Sequence, residues 1–280
     1  MADEALRFPA DQASKLEPYL PPAEGGHAAR PWVLVTYAAS LDGAIAAAPG
    51  VRTTLSGPES KAMTHYLRTR HDAICVGVGT AAADDPGLNS RLAPATLGDG
   101  TAPQPQPQPR PVVIDPRARW AVSDASKVIR LAREGRGLAP FVITATPASE
   151  IPAQRRAVLE RCGGKYIVVE GSPPDAGRDD GARRLRWADV LAAVWREGLK
   201  SIMIEGGGHV LNSLLAPPES GFVDSVVVTV APTWLGKGGV VVSPERTKGQ
   251  DGNTMPAPRL RDATWLQMGE DVVLCGKLVR

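Results

Sequence analysis

Aromatic side chains make up only 5% of this sequence, so its core has to be built from Val, Ile, Leu and Ala rather than from stacked rings. Cysteine is nearly missing too: Cys75, Cys162 and Cys275 lie far apart, and no Cys-x-x-Cys occurs. That excludes a zinc ribbon and a thioredoxin-type redox site, and an odd, sparse count fits a reducing, cytoplasmic setting. Cys75 and Cys275 sit inside apolar runs and read as core residues. No apolar run reaches the ~18 residues of a membrane span. Met1 to Arg30 is polar and Pro-rich and lacks the apolar centre of a signal peptide. Charge of one sign is not in excess either: 32 Lys and Arg against 30 Asp and Glu leave +2, with no basic run dense enough for a nucleic-acid face. That balance still allows a few arginines to hold an anionic small molecule.

What is present alternates. Strand-length apolar runs are expected at Pro31–Ala39, Ala73–Val78, Pro111–Asp115, Phe141–Thr144, Lys165–Glu170, Lys200–Glu205 and Val223–Val230, and two more at Thr264–Met268 and Asp271–Val279 around a Gly-Glu turn. Helices are expected at Pro58–Arg70, with Ser56 as N-cap and Pro58 as first residue, near Gln154–Arg161, at Trp187–Glu197 and at His209–Leu215, and a short turn or helix at Thr80–Asp85. Strand–helix alternation implies crossovers and a mostly parallel α/β sheet, with an antiparallel hairpin at the C-terminus. Residues 1–30 read as a flexible segment and 31–280 as a single domain. Surface insertions are expected at about 93–109, 171–184 and 243–259, the first carrying Pro-Gln-Pro-Gln-Pro-Gln-Pro.

Four pieces can carry chemistry. In Ile202-Met203-Ile204-Glu205-Gly206-Gly207-Gly208-His209 an apolar strand ends in a carboxylate, three glycines follow and a helix begins. Backbone N–H groups at such a corner suit a phosphate, although tight strand–helix packing would also call for glycine. Glu205 could accept from an amino-heterocycle or sugar, or simply face water. In Val76-Gly77-Val78-Gly79-Thr80-Ala81-Ala82-Ala83-Asp84-Asp85-Pro86, Thr80 offers a hydroxyl and Asp84 an acceptor one turn later; a short helix capped by Thr80 and stopped by Pro86 is the plainer alternative. Ser40-Leu41-Asp42-Gly43 has the composition of a turn. Arg68 and Arg91 flank one expected sheet edge, where their guanidinium forks suit a phosphate ester if they are not merely solvated.

These pieces occur together in one order: Thr36 to Gly43, Leu55 to Pro58, Val76 to Pro86 with Leu88 and Arg91, and Ile204 to Leu211. In that order the sequence resembles the pyrimidine reductases of riboflavin biosynthesis, most closely their stand-alone fungal type, from about Pro31 to Lys277. The resemblance implies a dihydrofolate-reductase-like three-layer α/β sandwich, NADPH as hydride donor, a homodimer and a phosphoribosyl-pyrimidine substrate. It implies that Thr80, Asp84, Val169, Gly206, Gly207, Gly208 and His209 bind the cofactor, and that Arg68, Arg91 and Glu205 bind the substrate. Glu205 and Asp42 are then the candidate catalytic residues, Glu205 to orient substrate and Asp42, or a water, to supply a proton. A Trp that bacterial relatives carry near the position of Thr54 is absent here. The His-x-Glu and Pro-Cys-x-x-Cys pieces of a zinc deaminase are absent too. The expected reaction is therefore reduction alone, of 2,5-diamino-6-ribosylamino-4(3H)-pyrimidinone 5′-phosphate. The alternatives are a reductase of the deaminated or another pteridine-like compound, and a non-catalytic nucleotide-binding protein.

Overall fold

The computed structural model describes residues 5–23, 26–94, 105–171, 185–249 and 251–279. Its strands are β1 (Trp32–Ala39), β2 (Ala44–Ala46), β3 (Ala73–Gly77), β4 (Arg110–Ile114), β5 (Phe141–Thr144), β6 (Lys165–Val168), β7 (Ser201–Gly206), β8 (Ser225–Val230), β9 (Val240–Val241), β10 (Leu260–Met268) and β11 (Asp271–Leu278). Its helices are α1 (Ala10–Leu16), α2 (Pro58–Thr69), α3 (Val78–Asp84), α4 (Lys127–Arg133), α5 (Ala153–Glu160), α6 (Trp187–Arg196) and α7 (Gly208–Leu215). The expected insertions at 93–109 and 171–184 fall largely outside the described residues.

Nine strands form one sheet in the order β10-β11-β8-β1-β7-β3-β4-β5-β6. From β8 to β6 every neighbouring pair is parallel. β11 runs antiparallel to both β8 and β10, which makes the closing hairpin. The strands read as unbroken apolar runs because both faces are covered. Val33, Val35, Cys75, Ile202 and Ile204 pack under α6 and α7. Their alternating neighbours Leu34 and Met203 pack under α1 and α2. On that second face Ile74, Val76, Val113 and Val142 meet Val78 of α3, Ile129 of α4 and Leu159 of α5. Helices, sheet and helices form the expected three-layer α/β sandwich.

Three expectations are corrected. The segment before β1 is folded over residues 5–23: Leu16, Tyr19 and Leu20 are buried against α2 and the hairpin. Leu6 also bridges to Leu92, with its N–H donating to the Arg91 carbonyl at 3.0 Å. Three apolar residues in a polar stretch carry too little periodicity to be seen as core. Second, Ser56 does not cap α2. Gly57 occupies the cap position, and Asp271 of β11, 2% exposed, accepts from the Gly57 N–H at 2.8 Å and from the Ser60 hydroxyl. A residue over two hundred positions away thus supplies the acceptor that a local cap would provide. Third, α3 starts at Val78, so Thr80 lies within it rather than capping it, and Asp85 ends it in the left-handed region at φ 40°. The β2–β9 ribbon and α4 were not expected; two- and three-residue strands are too short to show a period of two.

Candidate active site

The position of the site follows from the winding of the chain. β7 leads into α7 on one face of the sheet, and its neighbour β3 leads into α3 on the other. Adjacent parallel strands whose continuations leave in opposite directions open a crevice at their carboxyl ends, where open α/β sheets bind ligands. Val76 is in register with Gly206, so the two glycine-bearing corners picked out by sequence lie side by side at that crevice.

Most of these glycines are needed for packing of chain on chain. A Cβ on Gly77 would lie 2.9 Å from Val210 Cγ2, one on Gly207 2.8 Å from Thr80 Oγ1, and one on Gly208 2.5 Å from Val240 Cγ1. Gly206 has φ +114°, which disfavours any side chain. Gly79 differs. It is exposed within α3, and a Cβ there would meet nothing within 4 Å. A helical glycine costs about 1 kcal/mol relative to alanine, and no intramolecular contact accounts for it. Bare, exposed backbone therefore lies next to half-exposed Thr80, with half-exposed Asp84 one turn on.

His209 is exposed at the second position of α7, next to the same corner. Val169 lies just beyond β6, three strand spacings or about 14 Å from β3. Its side chain is 6% exposed and belongs to the core, and its N–H donates to the Thr144 carbonyl at 2.9 Å. Only its carbonyl is left to meet a ligand.

Glu205 alternates with Ile204 along β7 and so emerges on the α2 face, where Arg68 takes it in a two-pronged ion pair. Arg68 Nε donates to Oε1 at 2.8 Å and Nη2 to Oε2 at 2.7 Å, with the two side chains 14% and 16% exposed. Arg68 Nη1 donates to the Asn89 carbonyl at 2.9 Å. Two residues on, the Arg91 N–H donates to Nδ1 of buried His65 at 3.0 Å, and Arg91 Nη2 lies 3.2 Å from His65 Nε2. The structure thus brings Arg68, Arg91 and Glu205 together around α2. Burial, then the nearby Arg68 and Arg91 charges, push the His65 imidazole down to about 2, so it is neutral at working pH.

Asp42 lies at the tip of β1 but turns to another task. Its carboxylate accepts from the Ser40 hydroxyl, from the Leu235 N–H at 3.2 Å and from the Gly236 N–H at 2.7 Å. The Ser40 hydroxyl, then these two amides, hold its pKa below the usual carboxylate range. That is the wrong direction for a proton donor near neutral pH. Sequence reading missed His65 and Asn89. Only the His-x-x-Arg spacing on α2 hinted at the first, since i and i+3 share a helix face.

Comparison with known proteins places the chain in a family. The RibD C-terminal domain family matches residues 31–274. The 2,5-diamino-6-ribosylamino-4(3H)-pyrimidinone 5′-phosphate reductase of Candida glabrata is 39% identical over 275 residues, covering 98% of this chain and 99% of the relative. That of Eremothecium gossypii is 40% identical over 269 residues, covering 96% of each. The solved structure of the riboflavin biosynthesis reductase Rib7 of Saccharomyces cerevisiae superposes with a TM-score of 0.71 at 31% identity, covering 96% of this chain and 100% of the other. With family match, near-full-length relatives and shared fold in agreement, this chain belongs to the RibD C-terminal domain family.

Proposed function

We propose that this chain reduces 2,5-diamino-6-ribosylamino-4(3H)-pyrimidinone 5′-phosphate to its ribitylamino counterpart, with NADPH as the reductant. The observation that carries this reading is the Arg68–Glu205 pair beside the β3–β7 crevice, with the Arg91 main chain held against the same helix through His65. The crevice and the bare Gly79 backbone fit a dinucleotide, with Thr80, Asp84, Gly206, Gly207, Gly208, His209 and the Val169 carbonyl as its contacts. When bound, the reduced nicotinamide supplies the hydride.

The substrate is a ribosylamine, whose ring-opened form is an imine electrophilic at C1′. Arg91 anchors the 5′-phosphate, and the Arg68–Glu205 pair presents a fixed polar edge to the aminopyrimidine. Holding acceptor and donor at near-attack distance supplies several kcal/mol of the barrier, on the order of 7 where alignment is good. Addition of hydride to C1′ leaves the adjoining nitrogen needing one proton, which solvent provides, because Asp42 is held as an acceptor elsewhere. Residues 31–280 act as one reductase domain. A homodimer is the working unit, consistent with β10 as an edge strand carrying Trp265 at 62% exposed. Three free, scattered cysteines favour a cytoplasmic setting. Among the described residues no helix is long and apolar enough to cross a membrane.

The decisive assay follows NADPH oxidation by purified protein with the diamino compound and its deaminated form in parallel. The diamino compound is expected to turn over at least about tenfold faster by kcat/KM, and oxidation of NADPH with neither would end the proposal. Gly79→Ala separates packing from binding. It should raise stability by about 0.5–1 kcal/mol yet weaken NADPH binding by at least about fivefold. Thermal melts and a fluorescence titration read the two effects, and unchanged affinity would remove Gly79 from the contact set.

A further inference from the structure

The stretch from Asp85 to Ala93 runs an irregular course. Asp85 and Leu88 both lie in the left-handed region, at φ 40° and 52°, where residues other than glycine are uncommon. Such a course persists only when its surroundings hold it. Several holds act on its middle. The Asn89 amide donates to the Arg136 carbonyl at 2.8 Å, the Ser90 N–H to Gln108 Oε1 at 2.8 Å, and the Ser90 hydroxyl to the His65 carbonyl at 3.0 Å.

A further hold, on Arg91 to Ala93, comes from the other end of the sequence. The Leu6 N–H donates to the Arg91 carbonyl at 3.0 Å, and the Leu6 carbonyl accepts from the Ala93 N–H at 2.8 Å. One residue thus brackets Leu92 in a parallel bridge whose bonds are main chain on both sides. The same N-terminal stretch is fastened to α2. Phe8 stacks on Tyr66 with ring centroids 5.1 Å apart, and the Tyr66 hydroxyl donates to Glu17 Oε1 at 2.7 Å. Leu16, Tyr19 and Leu20 are buried in one cluster with Met63 and Leu67 of α2. Residues 6–20 are therefore a strap that ties α2 to the segment 89–93. Arg68 spans the same two elements: it is rooted in α2, bonded to the Asn89 carbonyl at 2.9 Å and paired with Glu205. A slip of the segment along α2 has to be taken up by that guanidinium, at the expense of its bond to Asn89 or of its fork on Glu205.

We propose that Leu6 is a positioning residue, whose main chain holds the segment 89–93 against α2 and so keeps the Arg68–Glu205 pair aligned for substrate. This rests on the reading of that pair as the polar edge presented to the aminopyrimidine. Position 6 has to supply a backbone N–H and a carbonyl. Alanine supplies both, whereas proline has no N–H to give.

The test compares Leu6→Pro, Leu6→Ala and Arg68→Lys in the full chain, at a temperature where each is folded by circular dichroism. Leu6→Pro should raise KM for the diamino compound about fivefold, with the Kd for NADPH within about twofold of wild type. Leu6→Ala should keep KM within about twofold. An unchanged KM in Leu6→Pro, equal impairment by Leu6→Ala, or a loss confined to kcat would each overturn the inference. Arg68→Lys keeps the charge but not the fork, and it separates the two levels. If it raises KM while Leu6→Pro does not, only the role of Leu6 falls; if it leaves KM unchanged, the reading of the Arg68–Glu205 pair falls as well. Should Leu6→Pro fail to fold, amide hydrogen exchange of the wild-type chain decides. The Ala93 N–H should exchange at least about tenfold slower than in an unstructured peptide, and about threefold slower again with the diamino compound bound. An unprotected Ala93 amide, or one indifferent to substrate, sinks the proposal.

Discussion

Glutamine in place of Glu205 is expected to lower kcat/KM about 100-fold while the Kd for NADPH stays within about threefold. The carboxylate accepts from two guanidinium nitrogens at 2.7 and 2.8 Å. An amide keeps one acceptor and turns an NH2 group toward the other guanidinium N–H. The charge-assisted pair is lost, and one of its two hydrogen bonds becomes a donor–donor contact. Arg68 then has reason to swing away, which also releases its bond to the Asn89 carbonyl. Both the fixed polar edge and the segment carrying Arg91 lose alignment, and a misplacement of about 1 Å is enough for a 10²-fold loss. The cofactor corner is held by other contacts, Gly207 against Thr80 and Gly77 against Val210, so its affinity is spared. Stability should drop by about 1–3 kcal/mol, less than for a fully buried pair because each side chain keeps some solvent. Steady-state kinetics, cofactor titration and urea melts check the three parts, and wild-type turnover would exclude Glu205 from the reaction.

Mild acid should destabilise the fold by several kcal/mol, through two buried histidines. His65 is pushed down to about 2 by burial and then by the neighbouring arginines; His71 is pushed down to about 4, chiefly by burial. Both are 4% exposed. His71 Nδ1–H donates to the Leu67 carbonyl at 2.7 Å, and its Nε2 is buried with no hydrogen-bond partner, so protonation there has nothing to meet. In the unfolded chain each titrates near 6.5. Because the folded values are depressed, the unfolded state takes up protons that the folded state refuses, and stability falls as pH drops below 6.5. By pH 4.5 each histidine contributes a loss of roughly 2–3 kcal/mol, about 5 together, a large part of the ~5–15 kcal/mol of a typical domain. Urea unfolding at pH 7, 5.5 and 4.5 should give a slope approaching two protons. His71→Asn should remove about one of them, and stability independent of pH over that range would contradict both assignments.

How much of this was legible beforehand differs from element to element. β3, β5 and β7 announce themselves as apolar runs because both of their faces are buried, and α6 shows an apolar stripe. Gly206 to Gly208 and Gly77 to Thr80 stood out as corners because turns of that kind need glycine. Whether a given glycine served packing or a ligand was hidden, since the deciding atoms, Val210, Thr80 and Val240, come from other elements. Asp42 looked like a spare acid only because its partners, the amides of Leu235 and Gly236, are almost two hundred residues away. Leu16 and Tyr19 were passed over because a single short amphipathic turn in a Pro-rich stretch has no period to detect.

Local order along the chain thus determined the strand and helix succession, the layered class and the identity of the reactive residue types, because backbone preference and the periodicity of burial act between near neighbours. Only the folded arrangement decided that Arg68 closes on Glu205, that His65 holds Arg91, and that Asp271 rather than Ser56 caps α2. Those pairings depend on which strand tips lie side by side, and that follows from how the sheet is wound, which no short stretch of sequence encodes.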